Sequence, residues 1–372
     1  MARNPDHALL ARPSHDERAR QTFVGAFKLH VGRTLRAANK VFYATGAAPA
    51  FAARHGHTPR DAGEIAAALA ADPRWQLWSM LHREGQLRMW DAVGETLARE
   101  APRLQAAAAD LTAPGRRRGS LELDPALAVP PVIRATAIHL QPGGYARDAG
   151  PGDLTAGALY EAGGALYSRA QGVGTGESKA EIILRFLGQR YPGFRPARIL
   201  DLACAAGASS TPYAEAFPDA EVHAIDVGAG LLRYAHARAE ALGVAVHFHQ
   251  RDVRATGFAA GRFDLVVSHN ALHELDDEST AGMFAECHRL LAPGGVCVHQ
   301  DVPLRWDTLD DYTRADYGWD EHFNNEPFWS SYARRDLGAL LRAAGFAADG
   351  VYVGFTDQSD RSFRWYVACA RR

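Results

Sequence analysis

The stretch Arg198–Gly228, RILDLACAAGASSTPYAEAFPDAEVHAIDVG, constrains this chain more than any other. Arg198–Ala203 is a short apolar run with β-branched Ile199, as expected of a buried parallel strand. Small residues follow from Cys204 to Ser210, then a helical segment ending near Phe217. A second apolar strand, Glu221–Ile225, stops on an acid, Asp226. Strand, small-residue turn, helix, strand and acid open a nucleotide-binding βαβ unit, whose first turn lets backbone N–H groups approach a ligand. Asp226, 25 residues after Asp201, is placed to accept hydrogen bonds from ribose hydroxyls.

That logic alone does not separate a nicotinamide cofactor from S-adenosylmethionine. The glycine pattern is not G-x-G-x-x-G. Asp201-Leu-Ala-Cys-Ala-Ala-Gly207 resembles instead the acid-x-G-x-G-x-G loop of class I S-adenosylmethionine-dependent methyltransferases. Gln250-Arg-Asp252-Val253 places an acid where that family reads the adenine amino group. RFDLVVSHNALH (262–273) and LLAPGGVCV (290–298) resemble its fourth strand and the turn into its fifth. The resemblance implies S-adenosyl-L-methionine as cofactor, held by Asp201, Ala203, Cys204, Ala205, Gly207, Asp226, Val227, Asp252, Val253, Ser268 and Tyr167. The chain departs from the pattern at Ala203 and Ala205, where the family has glycine. Ala203 is expected in β geometry, whereas a positive φ at Ala205 would cost roughly 1–2 kcal/mol.

At 372 residues the chain exceeds one such core, so two domains are expected: a mainly helical 1–150 and a cofactor-binding 151–372. Residues 1–20 read as a loose arm. From Gln21 to about Ala109 the pattern is helical, with Phe23, Phe27, Val31 and Leu35 at i+4 spacing, a capping signal at Asp61-Ala-Gly-Glu64, and an aromatic stripe of Trp75, Trp78 and Trp90. Ala113–Gly152 is a Pro/Gly-rich boundary, and Leu154–Arg190 is helical again, with Tyr160 and Tyr167 on a pre-core helix. Strands follow at 198–203, 221–226, 244–249, 263–268 and 295–301, and a terminal antiparallel hairpin at 351–355 and 363–370 surrounds the polar turn TDQSDRS. The expected fold class is α/β: a Rossmann-like, seven-stranded methyltransferase sheet behind a helical N-terminal domain. By analogy with two-domain small-molecule methyltransferases, that domain would dimerise and close over the acceptor.

Net charge is −2, which argues against a broad nucleic-acid footprint, and Arg116-Arg-Arg118 reads as a solvated loop. Cys204, Cys287, Cys297 and Cys369 form no C-x-x-C pair, which fits reduced thiols in a cytoplasm. No run approaches 18 apolar residues, so a soluble protein with no membrane partner is expected.

Methyl transfer needs an acceptor held in line with the sulfonium and, for many acceptors, a general base. Four histidines are candidates. His269 emerges at the end of the fourth strand of the resemblance. His273 follows it, His139 precedes the turn Pro142-Gly143-Gly144, and His322 lies in the aromatic and acidic insert Pro303–Tyr332. The H-x3-H spacing of His269 and His273 invites a metal reading, but no third ligand is evident and no metal is expected. The acids of the insert would favour a cationic acceptor. The expectation is a methyltransferase moving a methyl group to an O, N or C atom of a small molecule, in secondary metabolism. The alternative is a non-catalytic, cofactor-binding interaction or regulatory module on the same fold.

Overall fold

The computed structural model describes residues 6–171, 179–356 and 364–372. Its centre is an eight-stranded sheet of β1 (Ser120–Glu122), β2 (Arg198–Leu202), β3 (Glu221–Asp226), β4 (His247–Gln250), β5 (Phe263–His269), β6 (Leu291–Asp301), β7 (Val351–Phe355) and β8 (Tyr366–Arg371). The spatial order is β1-β4-β3-β2-β5-β6-β8-β7. The six strands from β1 to β6 run parallel, and β8 pairs antiparallel with both β6 and β7. The order reverses between β2 and β5, so a crevice opens there at the carboxyl ends of the strands.

Seven of these strands were expected; β1 was not. It comes from the boundary region and adds to the β4 edge, with Leu121 opposite Phe248. The Ser-Leu-Glu-Leu alternation at 120–123 carries a period-two signal, but three residues are too few to stand out among Pro and Gly. The terminal hairpin is present as β7 and β8, while its turn at 357–363 lies outside the described residues.

Both faces of the sheet are covered, so the central strands are buried throughout: Ile199, Leu200, Asp201 and Leu202 have no exposed surface. One face packs Leu200, Val266, Phe284 and Leu341, and the other packs Ile199, Leu265, Tyr213, Leu232 and Phe186. Each fully buried side chain of this size contributes about 1.5–3 kcal/mol.

The N-terminal region is helical, as its periodicity predicts. A run from His15 to His55 opens on a capping box in which Ser14 and Glu17 bond each other's backbone, and it ends at Gly56 in the left-handed region. The 39-residue helix Pro73–Leu111 buries Trp78, Met89, Trp90, Val93, Leu97 and Leu104 on one face. Tryptophans 78 and 90 serve different neighbours. Trp78 packs with Trp319 of the insert, and Trp90 joins the cluster shared with helix Thr155–Gln171.

Two expectations need correction. Residues 7–14 are not a loose arm, because Leu9 is fully buried, the Arg103 guanidinium donates to the Ala8 and Leu10 carbonyls, and His7 Nε2 lies 3.2 Å from Glu161. Three acids of the insert, expected to favour a cationic acceptor, are already paired with cations of this chain. Asp316 and Asp320 take Arg36 at 2.7 and 3.5 Å, and Asp310 takes Lys40 at 3.0 Å, tying the insert to the N-terminal helices. The Arg116–Arg118 run is exposed, as expected of a loop.

Candidate active site

The crevice is built first by the loop after β2. Ala203 has φ 53°, Ala205 φ 46° and Gly207 φ 74°, so three left-handed residues alternate through five positions. The expected β geometry at Ala203 is therefore incorrect. Cys204 N donates to Ile225 O at 3.0 Å, and meeting that bond forces the residue before it out of the extended region. Each alanine stores roughly 1–3 kcal/mol. Asp226 holds the strained loop, its Oδ2 accepting from Ala205 N at 2.9 Å and its Oδ1 from Gly228 N at 2.8 Å.

Asp201 lies beneath this loop, fully buried. Its Oδ2 accepts from Ser209 Oγ and Ser210 Oγ, both at 2.7 Å, while Oδ1 has no partner. Burial raises the Asp201 carboxyl to about 7 against the two serine bonds, with the nearby Asp226 adding to the rise. Burial also raises Asp226, against three backbone donors. Two buried acids with no cation paired to them among the described residues, one bearing an orphaned oxygen, suit a ligand with hydroxyl donors and positive charge. S-adenosylmethionine has both, so the residues present fit it.

The other cofactor candidates divide. Val227 borders a cavity of about 370 Å³ at the carboxyl ends of β3 and β4, lined also by Gln250 and Arg233. Asp252 stands at the same edge with both oxygens engaged by Arg254, at 2.7 Å for the Nη2–Oδ2 pair, and Val253 packs into the core. Cys204 is buried in the opposite face of the sheet. Ser268 has no exposed surface and pairs with His299 Nδ1 at 2.9 Å, inside the sheet and away from the crevice. Tyr167 reaches His139, with ring centroids 6.3 Å apart, and Tyr160 meets Tyr145 at 6.0 Å.

Of the four histidines the structure brings two together. His139 Nε2 lies 3.1 Å from Glu274 Oε1, and its Nδ1 lies 2.5 Å from Glu326 Oε1. His273 Nε2 faces the same Glu274 oxygen at 3.5 Å, while its Nδ1 meets Asp301 Oδ1 at 2.6 Å. Tyr145 Oη donates to Glu274 Oε1 at 3.0 Å. Burial pulls both imidazoles down, but Glu326 and Glu274 raise His139 to about 10, and Asp301 and Glu274 raise His273 well above its usual value.

Local geometry explains the convergence. His139 sits at φ 54° and the next residue, Leu140, at φ 58°. The His139 carbonyl is clamped by Gln86 Nε2 and Trp90 Nε1, both at 2.8 Å. Glu326 is delivered by the insert, where Asn325, at φ 55°, donates from Nδ2 to Ala137 O at 3.0 Å. His269 stands apart: its Nε2 meets Tyr213 Oη at 3.0 Å, and burial lowers it to about 3, so it is neutral. His322 is exposed and bonds Gly318 O one turn back along its own helix.

Ala205 tests the loop. Ala205→Gly is expected to leave S-adenosylhomocysteine affinity equal or tighter, since glycine removes the strain. Ala205→Val is expected to abolish binding by overlap with the ligand. Calorimetry reads both, and normal binding by the valine variant would show that the loop does not approach the ligand.

Residues 199–295 match the family model described as a methyltransferase domain. Among curated proteins, the chain is 31% identical over 170 residues to a malonyl-[acyl-carrier protein] O-methyltransferase of Methylococcus capsulatus, covering 43% of this chain and 55% of that protein. It is 37% identical over 108 residues to the demethylmenaquinone methyltransferase of Thermus thermophilus, covering 29% and 48%. The chain thus spans about half the length of these relatives. Among solved structures, a phosphoethanolamine N-methyltransferase 2 of Haemonchus contortus, in complex with phosphomonomethylethanolamine and S-adenosylhomocysteine, overlays with TM-score 0.40 at 17% identity. The match covers 51% of this chain and 52% of that one. Residues 199–295 are thus similar to a methyltransferase domain. A second solved structure of a Haemonchus contortus phosphoethanolamine N-methyltransferase 2, which overlays with TM-score 0.40 at 16% identity, is a complex with S-adenosyl-L-methionine.

Proposed function

We propose that this protein transfers a methyl group from S-adenosylmethionine to an O, N or C atom of a small molecule, in secondary metabolism and in a cytoplasm. The observation that carries the reading is the shared edge. The strained loop with Asp201 and Asp226 lies at the carboxyl ends of β2 and β3, and His273 and Glu274, which His139 reaches from the boundary segment, follow the carboxyl end of β5. The cofactor, when bound, supplies the electrophilic methyl group and leaves as S-adenosylhomocysteine.

Asp226 would hold the ribose, Asp252 the adenine amine, and Asp201 the charged end of the cofactor. Tyr145 and Tyr160 would form the wall between cofactor and cluster, and Tyr167 would close it beside His139. The imidazole and carboxylate groups of the cluster would bind and orient the acceptor's polar atom. His269, neutral and bonded to Tyr213, would shape the crevice without taking a proton. Residues 1–150 would form the cover over the acceptor, through His139 and the helix that clamps it. No helix among the described residues is long and apolar enough to cross a membrane.

Calorimetry with S-adenosylmethionine, S-adenosylhomocysteine and NADH tests the reading. Tight binding of the first two is expected, and tight NADH binding with no response to them would overturn it. Binding without turnover on any acceptor would favour a non-catalytic module, a reading motivated by the two alanines in the loop.

A pH dependence follows from Asp201. With its carboxyl near 7 in the free protein and its anion the binding form, the ionised fraction rises as pH increases. Affinity should therefore tighten by about tenfold between pH 6 and pH 8. Asp201→Asn should flatten the profile.

A further inference from the structure

We propose that His139, His273, Glu274 and Glu326 form a binding site for one divalent first-row transition-metal ion of the zinc class. The four residues come from three separate parts of the chain, and one ligand atom from each lies within 4.8 Å of all the others. Two imidazoles and two carboxylates are a donor set that suits zinc and its neighbours better than magnesium or calcium.

The directions of the ring nitrogens carry the argument. Asp301 is anchored by backbone donors, Leu272 N to its Oδ2 at 2.7 Å and Val302 N to its Oδ1 at 2.6 Å. It therefore takes the Nδ1 proton of His273 and aims Nε2 at Glu274 Oε1 across 3.5 Å, where that nitrogen becomes a ligand atom whenever the ring is neutral. A carboxylate oxygen and a ring nitrogen that face each other in a buried site need a positive charge between them, a ring proton or a metal ion. His139 repeats the problem, with a carboxylate oxygen opposite each ring nitrogen. Three buried carboxylates, Glu274, Glu326 and Asp301, meet here with two imidazoles to offset them.

Protons on the imidazoles would offset part of that charge, but hydrogen bonding does not complete the cluster. Glu274 Oε2 and Glu326 Oε2 are buried and have no hydrogen-bond partner among the described residues. Glu326 is only 2% exposed and Glu274 8%. One divalent ion would take one ligand atom from each of the four residues and balance two of the charges. The Asp301–His273 pair then plays the part that an outer carboxylate plays at many zinc sites, fixing the ring and its basicity. The site itself does not depend on the methyltransferase reading. Its role does: the ion would present an acceptor oxygen to the cofactor crevice.

The test uses the full-length chain. Metal content is measured by mass spectrometry as purified; after treatment with a chelator the chain is titrated with Zn²⁺, Mn²⁺ and Mg²⁺ by calorimetry. About one equivalent of Zn²⁺ per chain is expected, with Mg²⁺ much weaker. Glu326→Gln and His139→Gln should each weaken Zn²⁺ by at least roughly tenfold, and Asp301→Asn by about 10–100-fold. Circular dichroism and thermal melting confirm that each variant folds, and Glu326→Gln keeps the shape of the side chain. Absence of Zn²⁺ and Mn²⁺ binding would overturn the site, as would Mg²⁺ alone binding, or Zn²⁺ binding that none of the variants changes. S-adenosylhomocysteine is titrated separately, so a failure of the cofactor reading is distinguishable from a failure of the metal site.

Discussion

Glu161→Gln is expected to destabilise the protein by about 3–5 kcal/mol, a large part of a typical domain's stability. Glu161 is buried, with Oε1 accepting from Arg238 Nε at 3.0 Å and Oε2 from Tyr234 Oη at 2.5 Å. Arg238 is itself only 2% exposed, so glutamine would leave a buried guanidinium without its counter-charge. The same guanidinium donates to Thr211 Oγ1 at 2.9 Å and reaches the Gly207 carbonyl at 3.4 Å, so the change is also felt at the cofactor loop.

Burial raises the Glu161 carboxyl, but His7 and Arg238 outweigh it and hold the group at about 2, against an ordinary 4.5. A depressed carboxylate contributes stability that is present above its unfolded value and is lost as pH falls toward the folded one. The wild type should therefore lose this contribution between about pH 4.5 and 2, and the glutamine variant should lack that component. Denaturant unfolding at pH 7 and pH 3 reads both effects. A loss below about 1 kcal/mol at neutral pH would mean that the pair is not the anchor described.

Asp226→Ala is expected to weaken S-adenosylhomocysteine binding by about 10²-fold or more. Each hydrogen bond to a charged group contributes roughly 1.5–3 kcal/mol, and the aspartate has two tasks. It would accept from the ribose, and it pins Ala205 in the left-handed region through the 2.9 Å bond to Oδ2. Removing it also leaves the N–H groups of Ala205 and Gly228 without an acceptor. Calorimetry and a thermal melt separate lost affinity from lost fold. Affinity within threefold of wild type, with the fold intact, would show that Asp226 does not touch the cofactor. Asp226→Asn should fall between the two, because it keeps one acceptor and loses the charge.

The loop after β2 and the acid that ends β3 were legible in the sequence because their geometry is local. A parallel strand buried on both faces needs a continuous apolar run, and Ile199 to Leu202 supply one. The turn after it must be built from small residues, and an acid ends the next strand. All of this happens within 31 residues, Arg198–Gly228, so short-range spacing suffices. The antiparallel ending was legible for the same reason, since two strands close in sequence around a polar turn pair with each other.

The acceptor end was legible only in fragments. His139 and His273 stood out by residue type, but nothing in the spacing joined residue 139 to residue 273. Glu326 gave no signal at all, lying after two asparagines in a long connection. Their meeting depends on contacts remote in sequence: Trp90 and Gln86 clamping the His139 carbonyl, Asn325 reaching Ala137, and Arg36 binding Asp316 to dock the insert.

By itself the sequence determined the strand pattern, the small-residue turn after β2 and the helical character of the first hundred residues, because periodicity and turn chemistry act between near neighbours. The tertiary structure alone decided which histidine faces which carboxylate, and that His269 turns to Tyr213 while His139 and His273 share Glu274. Those outcomes depend on how helices and the insert pack over the sheet edge, and packing joins residues whose distance along the chain carries no information about their distance in space.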